Sequence, residues 1–224
     1  MLKKVSIVFM TCLIMVCLIN KLSFIVRPLD TVGAYSQVET FHSLPNNSLQ
    51  VIAYGSSHTL RGLSSIEMYK KYGIGAYNYG WHWQNMNTTK LFIEDSLQTQ
   101  SPKVILIDTY CVNRDYEDSE LNAEIYYSRY IKNKKALISY LHRCFGNNIE
   151  RYLEYFIPLL KFHDNWNTLT NESLAKLSID PTYYKEMGFC PSDAVTKIVI
   201  PDHNDLNDKK IIYNIKGGAD YEKF

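Results

Sequence analysis

From Val5 to Ile19 the chain is apolar with almost no interruption. Lys3 and Lys4 precede the run, Asn20-Lys21 punctuate it, and apolar residues resume from Leu22 to Val26 before Arg27-Pro28 ends it. A core helix of a soluble domain would show a polar face over this length, and this segment has none. Counted through Val26 it reaches the roughly 20 residues that cross a bilayer as a helix. The lysine pair before it favours a cytoplasmic N-terminus, and Lys21 is placed to snorkel to the interface. No small-x-small cleavage site follows Ile19, so residues 1–27 read as a signal anchor rather than a cleaved signal peptide. Thr11 and Val16, ahead of Cys12 and Cys17, do not make a lipobox. The expectation is a single-pass protein of the cell membrane, with the lipid bilayer as its first partner and the soluble part extracytoplasmic.

Beyond the anchor the pattern changes period. Residues 28–48 carry Pro28, Gly33, Pro45 and Asn46-Asn47-Ser48 and read as a connector. Leu49 to Tyr54 is a short apolar strand halted by Gly55-Ser56-Ser57-His58. Gly62 to Tyr72 has helical spacing, with Ser64 or Ser65 as cap, and Gly73 stops it. Ile74 to Tyr79 predicts a second strand, Asn85 to Gln98 a second helix, and Lys103 to Asp108 a third strand. Strands alternating with helices predict an α/β fold with a parallel sheet and crossover helices over 49–118. Ligands on such sheets bind beyond the carboxyl ends of the strands, where Gly55–His58, Asn78–Gln84 and Asp108–Arg114 all fall. Residues 119–177 turn helical and aromatic, with stripes such as Tyr126, Tyr130, Leu137 and Leu141 that read as core packing. Residues 178–224 read as an irregular tail.

Composition narrows the function more than the fold. With 24 basic and 23 acidic residues among 224, the net charge of +1 gives no electrostatic case for a nucleic-acid partner. Cys12, Cys17, Cys111, Cys144 and Cys190 contain no C-x-x-C pair, and no histidines have metal-ligand spacing, so neither a metal nor another cofactor is expected. A disulfide framework is not expected either.

Ser57 is the leading candidate for chemistry. It ends a strand and opens a helix on a turn that Gly55 permits. A serine there is either a nucleophile, which needs a base, or an ordinary helix cap. The segments Val51–His58 (VIAYGSSH), Gly75–Gly80 (GAYNYG) and Ser101–Asp108 (SPKVILID), in that order, resemble the SGNH (GDSL-type) hydrolase superfamily. They are most similar to its membrane-anchored bacterial branch, found beside membrane-bound O-acyltransferases. Phe156–Trp166 (FIPLLKFHDNW) resembles a helical insertion of that branch. The resemblance implies a three-layer, flavodoxin-like sheet with that insertion. It makes Ser57 the nucleophile and, through its N–H, an oxyanion donor, with the N–H of Gly80 as the second donor. His58, Asn78, Trp81 and Tyr110 would line the pocket, with structural hydrogen bonding for His58 and plain packing for Trp81 as the alternatives.

Two departures from the family pattern matter. The third strand ends in Asp108-Thr109-Tyr110 where the family has Gly-x-Asn, so the oxyanion asparagine is missing and Asn113 is out of register. The last family block, Asp-x-x-His, is absent. The late histidine is His203, directly after Asp202. Either the chain is a truncated member with an incomplete sheet, or His203 is recruited as base. Two functions follow from the resemblance. One is a serine esterase or O-acyltransferase acting on an acylated polysaccharide or teichoic-acid-like polymer of the cell envelope, with Ser57 and His203 catalytic. The other is a truncated, non-catalytic envelope protein that assembles with a membrane-bound O-acyltransferase.

Overall fold

Four apolar residues between Gln50 and Gly55, VIAY at 51–54, form the central strand of a three-stranded parallel sheet among the described residues. The computed structural model describes residues 2–30, 33–110, 112, 125–175 and 177–191. Strand β1 (Val51–Tyr54) lies between β2 (Ala76–Asn78) and β3 (Val104–Ile107), in the order β2-β1-β3. Val51 pairs with both Ala76 and Val104, and Tyr54 with Ile107. All four β1 side chains are buried, as a central parallel strand requires. The β3 residues are equally aliphatic, yet each is between 37% and 47% exposed. The chain is thus mixed α/β, with a small parallel sheet and an apolar N-terminal helix.

The crossovers follow the capping chemistry of the sequence. After β1 come α3 (Ser57–Gly62) and α4 (Ser65–Tyr72); Ser56 caps the first and Ser64 the second. Gly73, at φ 66°, ends α4 in the left-handed conformation that glycine adopts without strain. Asn85 accepts from Thr88 N–H to cap α5 (Met86–Ser96), which returns the chain to β3. The sequence pattern predicts one helix from Gly62; the structure breaks it at Leu63-Ser64 and begins the first piece at Ser57.

The connector expectation for 28–48 gives way to α2 (Ala34–Ser43). Its Ala34, Val38 and Phe41 are fully buried, at helical spacing. Asp30 starts it, its carboxylate accepting from the backbone N–H groups of Ala34 at 2.7 Å and Tyr35 at 2.6 Å. Phe41 stacks on Tyr79, Tyr79 on Phe92, and Phe92 on Trp81, with centroids 4.6, 4.7 and 5.2 Å apart. This aromatic column is the centre of the core, and its area explains how short strands bury enough surface.

Asp95 is the polar hub beside that column. Its fully buried carboxylate meets His42 Nε2 at 2.7 Å and accepts from the N–H groups of Asn133 at 2.7 Å and Lys132 at 3.1 Å. It therefore joins α2 and α5 to the start of α6 (Lys134–Phe145). Next come α7 (Ile149–Phe156), α8 (Pro158–Phe162), a 3₁₀ stretch (His163–Thr168) and α9 (Asn171–Leu174).

Helix α1 (Leu2–Val26) is long and apolar enough to cross a membrane, and the apolar window within it is not buried by the rest of the chain. Its last turns pack against α8, the 3₁₀ stretch and α9. Arg27 locks this junction. The guanidinium donates to the carbonyls of Ser173 and Ala175, each at 3.0 Å, and of Phe24, and it lies 3.6 Å over the Phe24 ring. Within the expected irregular tail, the described residues 178–191 include a helix. There α10 (Pro181–Lys185) leads to Met187, whose carbonyl accepts from Asn78 N–H at 2.9 Å.

Candidate functional site

At the carboxyl end of β1 the parallel register sets the turn Gly55-Ser56-Ser57 beside Asp108, the residue after β3. Gly55 has φ 155°, and a Cβ there would stand 2.3 Å from both Asp108 Cβ and Thr59 Oγ1. Only glycine lets the turn close against β3 and α3.

The two serines of the turn have different tasks. Ser56 is buried; its hydroxyl donates to Asp108 Oδ2 at 2.8 Å and accepts from His58 N–H at 3.3 Å. Ser56 is therefore the helix cap. Ser57, the first residue of α3, is half-buried, and its hydroxyl has no hydrogen bond among the described residues. His58 is exposed and its ring lies 4.0 Å from that of Tyr110, which is exposed too. These three line the open side of the turn.

The Asp108 carboxylate also accepts from Tyr110 N–H at 2.9 Å and Ser56 N–H at 3.3 Å. Partial burial pushes its pKa up, but these hydrogen bonds and the nearby His58 outweigh that and hold it below the usual carboxylate value. Asp108 thus remains an anion that fixes the turn.

The second cluster is built inward. Asn78 is fully buried; its amide donates to the carbonyls of Thr59 at 2.6 Å and Leu63 at 2.7 Å, fastening the end of β2 to α3. Its Oδ1 accepts from Gly80 N–H at 3.0 Å. That N–H, expected as an oxyanion donor, is engaged within the protein. Gly80 has a packing reason to be glycine, since a Cβ would stand 2.8 Å from Leu60 N. Trp81 is buried on Phe92 and donates its backbone N–H to Gly55 O at 2.8 Å. Asn78 and Trp81 therefore pack the floor beneath the turn rather than lining an open pocket.

His203 and Asp202 lie outside the described residues, as do Asn113 and Arg114. A cleft of about 450 Å³ opens beside α3, lined among others by Arg27, Arg61, His82, Tyr183 and Cys190. Burial and then the Arg61 charge hold the His82 pKa below its usual value, so the imidazole there favours its neutral form. Ser57 does not line this cleft. Among the described residues no three His, Cys, Asp or Glu side chains gather as metal ligands.

Sequence reasoning missed the Ser56–Asp108 link. The signal was there in part: in a parallel sheet with β1 beside β3, the residues just past both strands become neighbours. No family model, curated protein or solved structure matches the chain.

Proposed function

We propose that this chain is an extracytoplasmic acyl-transfer protein held in the membrane by α1. In this reading the parallel sheet is the core of a three-layer, flavodoxin-like hydrolase of the SGNH type, and Ser57 is the nucleophile. The observation that carries the reading is the contrast within the serine pair. Ser56 takes over the capping and the link to Asp108, which leaves the Ser57 hydroxyl half-buried and unengaged at the carboxyl end of the central strand. Ser57 Oγ would attack an acyl carbonyl while His203 accepts its proton. Collapse of the tetrahedral intermediate would expel the alcohol and leave an acyl-serine. Water would then complete an esterase cycle, and a polymer hydroxyl a transferase cycle. Acylated cell-envelope polymers fit a site held just outside the membrane. The test is turnover of a chromogenic acetyl ester by the full chain in detergent micelles. Loss by about a thousandfold in Ser57→Ala supports the reading; an unchanged rate in the variant removes Ser57 from the chemistry.

A second reading is a non-catalytic protein that assembles with a membrane-bound O-acyltransferase. It is favoured by the capture of Gly80 N–H by Asn78 Oδ1, which leaves the oxyanion position short of a donor. A folded chain that turns over no ester but co-purifies with such an enzyme is its signature.

A further inference from the structure

Helix α7 is turned inside out for a helix in water. Ile149, Leu153 and Phe156 recur at i, i+4 and i+7 and form one aliphatic and aromatic stripe. That stripe faces outward, with the three residues 73%, 48% and 62% exposed. The face turned to the protein is the mixed one. Tyr155 is buried there beneath the Arg129 guanidinium, and Arg151 lies over Phe145. Leu160 on α8 and Trp166 in the 3₁₀ stretch, next along the chain, are exposed apolar residues as well. Soluble domains seldom leave an apolar helix stripe of this kind to water.

The position of the patch says what covers it. Helix α8 is bonded to the last turn of α1: Leu159 N–H donates to Ser23 Oγ at 3.2 Å. Asn165 Nδ2 donates to Val26 O at 2.9 Å, and Arg27 clamps Ser173 and Ala175. From Val5 to Ser23 an α-helix rises about 27 Å, close to the roughly 30 Å of a hydrocarbon core. If α1 crosses the bilayer, Ser23 and exposed Asn20 and Lys21 stand at the headgroup boundary, and α8 stands there with them.

We infer that the outward stripe of α7, with Leu160 and Trp166, lies in the interfacial layer of the bilayer that α1 crosses. The inference rests on the membrane reading of α1. The segment after α1 then rests against the membrane, with α7 in the plane of the interface like an amphipathic surface helix. A tryptophan at that depth is in its preferred environment.

The test uses the full chain, with native cysteines replaced, in phosphatidylcholine–phosphatidylglycerol vesicles. Nitroxides are placed singly through Val8→Cys, Leu153→Cys, Phe156→Cys, Leu160→Cys and, as a water-exposed reference on α4, Tyr69→Cys. Collision with oxygen is compared with collision with a water-soluble nickel chelate. The expected result is a deep signal at Val8 and oxygen-to-nickel ratios at 153, 156 and 160 several-fold above that at Tyr69. A deep Val8 with 153, 156 and 160 matching Tyr69 overturns the inference and leaves the anchor intact. A water-exposed Val8 overturns the anchor and the inference together. Shielding of 153, 156 and 160 from both reagents means that protein covers the stripe, a second copy or another partner, and overturns it too. If the cysteine-free chain does not fold, quenching of the native chain by shallowly brominated lipid gives the same information. A quenched component that vanishes in Trp166→Phe supports the inference, and quenching identical in the two chains overturns it.

Discussion

Ser56 Oγ donates to Asp108 Oδ2 at 2.8 Å, so the turn that ends the central strand is held by the residue that follows its neighbour β3. This one contact organises the candidate site. It occupies the first serine of the pair, leaves the second to face the open side, and keeps Asp108 and Tyr110 close to it. Asp108→Ala is expected to lower the unfolding free energy by about 1.5–3 kcal/mol, the range for hydrogen bonds to a charged group. Urea titration of the full chain in detergent measures it.

The same carboxylate gives a pH dependence of definite sign. Its folded pKa lies below its unfolded value. Its stabilisation is therefore complete above the ordinary carboxylate pKa and is lost as pH falls through the lower folded value. Wild type is expected to lose more stability than Asp108→Ala between neutral and strongly acidic pH. Equal losses in parallel thermal melts would assign the acid sensitivity to other groups.

Gly55→Ala tests the close approach itself. The added Cβ meets Asp108 Cβ and Thr59 Oγ1 at 2.3 Å each, and the φ of 155° suits glycine alone. Thr59 Oγ1 can turn away by a χ1 rotation, but Asp108 Cβ moves only with the backbone after β3, so the expected cost is about 2 kcal/mol or more. Gly73→Ala meets no atom within 4 Å but shares a positive φ, and about 1 kcal/mol is expected there. A reversal of that order in melting temperature would contradict the packing described for the turn.

Asp95 supplies the largest expected loss outside the site. Asp95→Ala leaves two backbone N–H groups and His42 without their acceptor at once, and about 1–3 kcal/mol is expected for each donor left buried and unsatisfied. His42→Ala removes only one partner and costs less. The pair is measured by urea unfolding beside wild type.

Arg27→Lys separates charge from fork geometry at the junction between α1 and the rest of the chain. Lysine keeps the charge but not the planar guanidinium that reaches Phe24, Ser173 and Ala175 together. Proteolysis in the segment after α1 is expected to accelerate in Arg27→Ala and to be only partly restored in Arg27→Lys. Full restoration by lysine would mean that charge alone holds the junction.

The sequence showed the α/β core well because its signals are local. Capping serines, Asn85 and Gly73 mark helix ends, and the apolar runs at 51–54 and 104–107 are strands. Helix α2 was hidden because its inward face, Ala34, Val38 and Phe41, is thin, and Gly33 before it reads as a loop. The structure of residues 181–191 was hidden for another reason. Its place is fixed by distant partners, Met187 O on Asn78 and Tyr183 against Gly33, rather than by any periodicity of its own. At the turn, the need for glycine at position 55 was legible from the sequence. The burial of Asn78 and Trp81 was not, because a strand-end residue faces either a pocket or the core according to what packs above it.

The proposal that Ser57 is a nucleophile is tested most directly by covalent capture. The full chain in detergent is treated with a fluorophosphonate and the adduct is mapped by mass spectrometry, beside Ser57→Ala and His203→Ala. The account predicts one adduct, on Ser57, absent from the first variant and strongly slowed in the second. A folded wild-type chain that takes up no phosphonate on Ser57 would contradict it.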